Sequence, residues 1–215
     1  MLRAAISSDA PKRRGFVFDG LGRWPVTTAW SMTAAFVIAF VLAAVILASF
    51  GVGDRGTHIA LRATARWSFL LFWLAYAGGA LAKLFGPRFN VLAQQGRAAG
   101  LAFASAQLVH VALVFWLFAG PGRGMLVFWA GIVCTYLLAL FSWPRLRDAL
   151  GPPLWRLLRT VAMDYIAFVF AVDFILGPLH QHGRYPLSYV PFAVMLVGGA
   201  GLRIAAAVRT QLAVR

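Results

Sequence analysis

The sequence predicts an all-α integral membrane protein, a six-transmembrane-helix bundle with both termini in the cytoplasm. Composition is the first ground: 61% hydrophobic and 12% charged residues, with a mean hydropathy of +0.79, describe a chain that would not stay soluble as a 215-residue domain. The second is six segments that reach or approach the roughly 20 apolar residues needed to cross a hydrocarbon core about 30 Å thick. The third is the distribution of Lys and Arg. Backbone polar groups in lipid must be satisfied within the segment, so the spans are helices.

Residues 1–25 form a basic cytoplasmic segment with Arg3, Lys12, Arg13, Arg14 and Arg23. The following run, about Val26 to Phe50, is longer than a signal-peptide core and has no clear small-residue cleavage site before Gly51-Val52-Gly53, so it reads as a retained first span. The further spans are about Ala63 to Phe85, Ala98 to Ala119, Met125 to Trp143, Leu157 to Leu176 and Tyr189 to Val208. The membrane domain covers 26–209, and 210–215 form a short cytoplasmic tail.

Fifteen of the Lys and Arg residues fall in the N-terminal segment, the two loops around Arg88 and Arg147, and the C-terminal end. Five, Arg55, Arg62, Arg66, Arg123 and Arg184, fall in the opposite loops, so positive-inside reasoning places both termini in the cytoplasm. The net charge of +14 is spread along membrane edges. It points to lipid rather than nucleic acid. Trp24, Trp30, Trp67, Trp116, Trp143 and Trp155 fall near span ends, where amphipathic rings are favoured, with Trp73 and Trp129 as exceptions. The one cysteine, Cys134, rules out an intrachain disulfide and reads as a small buried hydrophobe. Small residues mark expected close helix contacts: Ala75, Gly78, Gly79 and Ala82, then Ala99, Gly100 and Ala106, then Gly198, Gly199 and Gly201. No nucleotide-binding glycine pattern is present.

Ionisable groups inside a membrane are costly and point to function. His110 lies about thirteen residues past Arg97, roughly 20 Å along a helix, and is either an axial ligand to haem iron or an interhelical hydrogen-bonding group. Asp164 and Asp173 are nine residues apart on the fifth span, which puts them on opposite faces. Asp173 is placed to orient His110 as a supporting carboxylate, whereas Asp164 needs an Arg or hydroxyl partner from the bundle. His58, His180 and His182 are assigned to loops on the outer side. They form a weak metal set that no Cys or carboxylate cluster completes, and solvated loop histidines are the plainer reading.

The segment Gly96-Arg97-Ala98-Ala99-Gly100-Leu101-Ala102-Phe103 with His110 ten residues after Gly100, the helix from Arg66 to Pro87, and Leu150-Gly151 followed by Trp155-Arg156-Leu157-Leu158-Arg159 resemble the ferric reductase-like transmembrane family. That family includes the haem-bearing membrane subunit of the bacterial methionine sulfoxide reductase system. The likeness covers about 62–176 and implies a bacterial inner-membrane protein holding b-type haem. It also implies electron transfer across the membrane to or from a partner protein, with His110 as axial ligand and Arg97, Gly100 and Asp173 around the cofactor. The chain departs from the family in the fifth helix, where Leu158 and Val172 stand in place of histidines, and neither side chain can coordinate iron. Leu158, Tyr165 and Val172 share one face by spacing. The alternatives are a haem-free structural or partner-binding membrane subunit, in which the three polar residues act as helix ties, and a small transporter using the aspartates as a proton relay.

Overall fold

The computed structural model describes residues 26–117, 125–180 and 187–212, and the described residues form helices without strands. In chain order these are α1 (Val26–Phe50), α2 (Asp54–Phe85), α3 (Asn90–Leu117), α4 (Met125–Phe141), α5 (Pro144–Leu150), α6 (Pro152–Ala171), α7 (Gly177–His180) and α8 (Val190–Leu212). A π-helical turn, Val172–Leu176, joins α6 to α7. Five helical stretches are long and apolar enough to cross a membrane, and α4 with α5 makes a sixth if the bent pair is one span. The chain is thus a multi-pass helical protein suited to a lipid bilayer. The basic segment 1–25 lies outside the described residues.

Glycine and proline set the breaks. Gly86 and Gly151 take φ of +81° and +79°, a region that costs other residues strain, and their N–H groups close the preceding helices onto Ala82 and Arg147. Pro144 opens α5 and forces Trp143 into an extended conformation. The chain therefore turns by 103° at the end of α4. This corrects the fourth span, expected to run straight to Trp143. Pro178 lacks an N–H and crowds the carbonyl four residues back, which is what the wider π turn before it relieves.

The larger correction concerns α2, which begins at Asp54 rather than near Ala63. Arg55, His58, Arg62 and Arg66, expected in a loop, occupy its first four turns. Charged residues read as a loop by hydropathy, yet they helix well when they line a polar cavity instead of lipid. Trp67, expected near the start of this span, is a residue of α2 about four turns from its beginning. Its indole N–H donates to the Ala35 carbonyl of α1 at 3.1 Å.

Helix association in lipid rests on packing and hydrogen bonds, because lipid tails are as apolar as the side chains. Around α2 the first is supplied by an aromatic core: Phe69 meets Phe170 and Phe174 edge-on at 5.2 and 5.1 Å, and Phe72 lies 5.5 Å from Phe103. Such pairs are worth about 0.5–1.5 kcal/mol each beyond their area. Cys134 packs half-buried against this cluster. On the other side Ala35, Ala39 and Ala43 of α1 meet Ala60, Ala102 and Ala106, where small residues let backbones approach. Hydrogen bonds from Trp73 to the Met195 carbonyl (2.7 Å) and from Ser105 to the Met32 carbonyl (2.9 Å) tie α2 to α8 and α3 to α1. At the basic end Arg209 donates to the carbonyls of Lys83 and Leu84, completing the C-terminus of α2.

Of the small residues expected at close contacts, Gly78 and Gly199 are required by packing, because a Cβ there would lie 3.0 Å from the Leu92 carbonyl oxygen and 2.9 Å from Trp73 Nε1. Gly79, Gly198 and Gly201 have open space. Since the Trp73 indole is anchored to Met195 and cannot yield, Gly199→Ala lowers stability by about 1–3 kcal/mol, whereas Gly201→Ala leaves it unchanged or raised. Thermal unfolding of the two variants in detergent checks the contrast.

Candidate functional site

Two cavities lie along the bundle, separated by Phe103, Thr135 and Ile166, which line both. The larger, about 760 Å³, is enclosed by α2, α3, α4, α6 and the π turn, and opens at the end of the bundle where α2 begins. Its volume falls within the roughly 300–1,000 Å³ of small-molecule and cofactor sites. The smaller, about 230 Å³, lies at the basic end.

His110 lines the larger cavity. Its Nδ1 is 3.0 Å from Thr64 Oγ1, and its ring is also within hydrogen-bond reach of the Leu61 carbonyl. The Thr64 hydroxyl also lies within hydrogen-bond distance of the α2 carbonyls of Ala60 (2.9 Å) and Leu61 (3.1 Å). It can accept from a protonated Nδ1 or donate to an unprotonated one, and in either tautomer the contact ties the imidazole to α2. Phe128 packs edge-on against the imidazole at 6.0 Å and holds its plane.

This support comes from α2, not from Asp173 as the sequence suggested. Asp173 does line the same cavity, but it sits on the π turn facing the charges of Arg62 and Arg66. Arg66 lies over the rings of Tyr189 and Phe192 at 5.1 and 5.3 Å. The mouth of the cavity thus combines two guanidinium groups, one carboxylate and His58. Gln107 Oε1 is buried without a hydrogen bond among the described residues, as is Arg66 Nε. Buried polar atoms are nearly always paired, so both are suited to a polar ligand in the cavity.

Arg97 and Gly100, expected beside the same cofactor as His110, instead line the smaller cavity. The face of α6 is also shifted by one residue from the expected one. Arg159 lines the small cavity, Ile166 both and Asp173 the large one. Of Leu158, Tyr165 and Val172, Val172 alone reaches a cavity, while Tyr165 donates to the Val127 carbonyl of α4 at 3.3 Å. His58 lies on a helix rather than in a loop; the His180 side chain and His182 fall outside the described residues. Among the described residues no group of three His, Cys, Asp or Glu side chains is gathered to hold a metal ion.

Asp164 finds both kinds of partner that its depth required. Arg203 of α8 pairs with it at 3.1 Å and the Tyr76 hydroxyl donates to it at 3.2 Å. The Arg203 guanidinium also lies 4.4 Å above the Tyr76 ring. This is a three-helix tie outside both cavities.

The residues that composition did not single out are Thr64, Arg62, Arg66 and Gln107. The spacing of His58, Arg62 and Arg66, four residues apart each time, places them on one helical face and is the signal that identifies the cavity wall. Comparison of the chain with protein-family models, curated proteins and solved structures gives no match.

A double-mutant cycle of Tyr76→Phe and Asp164→Asn should give a coupling energy of about 0.6–1.7 kcal/mol, the range for hydrogen bonds between membrane helices. Additive losses in thermal unfolding would show that the two side chains do not act together.

Proposed function

We propose that this chain is a ferric reductase-like membrane protein that holds one b-type haem in its larger cavity and exchanges electrons with a partner protein. The observation that carries the reading is the placement of His110: it lines a cofactor-sized cavity and is held from α2 by the 3.0 Å contact between Nδ1 and Thr64 Oγ1, and with Nδ1 protonated Nε2 would be the atom that holds iron. Axial histidines depend on this kind of support, which fixes the tautomer and strengthens the ligand. Arg62 and Arg66 would take the anionic edge of the macrocycle, and Phe103, Phe128 and Phe170 supply apolar walls. Haem bound there supplies one-electron redox chemistry. The chain has no nucleotide-binding pattern, so the electrons enter or leave through another protein.

In this reading α4 with α5 counts as one span. The bundle then has six spans, with both termini on the side that carries fifteen of the twenty Lys and Arg residues, the cytoplasmic side of a bacterial inner membrane. His110 would hold the haem without a second histidine from α6 or the π turn, since Val172 lines the cavity there. That distinguishes this chain from a site built on paired histidines.

A second reading has a specific observation behind it, because the Thr64–His110 bond also joins α2 to α3. A haem-free, partner-binding subunit would use it as a helix tie alone. Absorption spectra of the detergent-purified protein, oxidised and dithionite-reduced, separate the two. The haem reading expects a Soret band that shifts on reduction, disappears in His110→Ala with the fold intact, and persists in Thr64→Val with haem affinity about tenfold weaker. A featureless visible spectrum from haem-replete cells, with His110→Ala losing only stability, would establish the tie.

A further inference from the structure

The smaller cavity has a chemistry of its own. Arg97 of α3, Arg147 of α5 and Arg159 of α6 line it, together with Gln94, Ser142 and Trp155. No Asp or Glu is among its lining residues. Asp148 pairs with Arg147 at 3.4 Å with its side chain 70% exposed. Asp164 is engaged on another face by Arg203 and Tyr76.

Three guanidinium groups line this cavity of about 230 Å³. Arg97 feels the charge of Arg147, while Arg159 feels that of Arg203, which is not among the lining residues. Arg156, one turn before Arg159, instead donates its Nε to the Pro152 carbonyl. An anion in the cavity would be attracted by the charge of all three. Guanidinium groups suit a tetrahedral oxyanion, because each presents a planar fork of donors.

Size narrows the ligand. The cavity is below the roughly 300 Å³ at which sites for whole cofactors begin, so it excludes a macrocycle and admits a group the size of a phosphate with a short tail. Its floor is apolar, formed by Phe72, Phe103 and Met163, and Trp155 stands at the rim, where a ring with one polar edge favours the lipid headgroup region. Basic pockets between helices at a membrane surface bind anionic headgroups in this way.

We propose that the cavity bounded by Arg97, Arg147 and Arg159 is a binding site for a phosphate-bearing anion, distinct from the cavity around His110. The phosphate comes either from a membrane phospholipid or from a small soluble compound. The proposal does not depend on haem.

Native mass spectrometry of the full chain in detergent tests it, titrating phosphatidylglycerol, diacylglycerol and inorganic phosphate in turn. The expected result is one phosphatidylglycerol bound in preference to diacylglycerol. Affinity should fall about tenfold in the R97Q/R159Q double variant, the loss of charged hydrogen bonds, and stay unchanged in R88Q/R156Q, which removes two basic residues from the same end without touching the cavity. Displacement of the lipid by inorganic phosphate identifies a small anion as ligand, and failure to displace it identifies the headgroup. Equal losses in both double variants, or diacylglycerol binding as well as phosphatidylglycerol with no effect of phosphate, would overturn the site in favour of diffuse surface charge. If R97Q/R159Q does not fold, R159K serves. It keeps the charge but not the fork, and a phosphate-induced rise in melting temperature smaller than that of the parent is expected, an equal rise being contrary to the proposal.

Discussion

The hydrogen bond between His110 and Thr64 joins α3 to α2, the two most buried of the membrane-length helices, and the rest of the bundle is arranged around that pair. In a bilayer an imidazole has no water to fall back on, so its partner must come from a neighbouring helix. Thr64 supplies it, its hydroxyl lying also within reach of the α2 carbonyls of Ala60 and Leu61. One contact therefore ties the relative rotation of two helices to the orientation of the imidazole. The aromatic core on one side of α2 and the alanine layer on the other hold these helices at the spacing the bond needs.

How much of this was legible in the sequence differs by residue. Long apolar runs with glycine and proline between them mark the helices, and the ends of α1 and α2 at Phe50 and Phe85 coincide with the expected spans. The start of α2 is hidden, because hydropathy treats Arg55, Arg62 and Arg66 as extramembrane. Helical spacing of His58, Arg62 and Arg66 is the better guide there. Asp164 required an arginine or hydroxyl partner by its depth, and the structure supplies both kinds. The pairing of His110 with Thr64 depends on the contact between two helices 46 residues apart in sequence, which no local pattern encodes. The same limitation separates Arg97 and Gly100 from His110: they lie on one helix, but at opposite ends of a septum formed by Phe103, Thr135 and Ile166.

That septum divides the interior by chemistry as well as by space. On one side, a cofactor-sized volume carries an imidazole, a buried amide oxygen and a mixed-charge mouth. The other holds a volume less than a third as large, with three guanidinium groups and no carboxylate. Helix α6 and the π turn that continues it contribute to both, presenting Arg159 to one and Asp173 to the other, so this segment carries opposite charges at its two ends. Such a division suits the two occupants proposed above, an anion at the basic end and a large, mainly apolar ligand with an anionic edge at the opposite end.

The number of haems per chain tests the proposed function most directly. A pyridine haemochrome assay of the purified protein, referred to its protein content, should give one b-type haem per chain, in keeping with the larger cavity and the support of His110 by Thr64. Two per chain would contradict the assignment of the smaller cavity to an anion, and none would contradict the assignment of the larger one to haem.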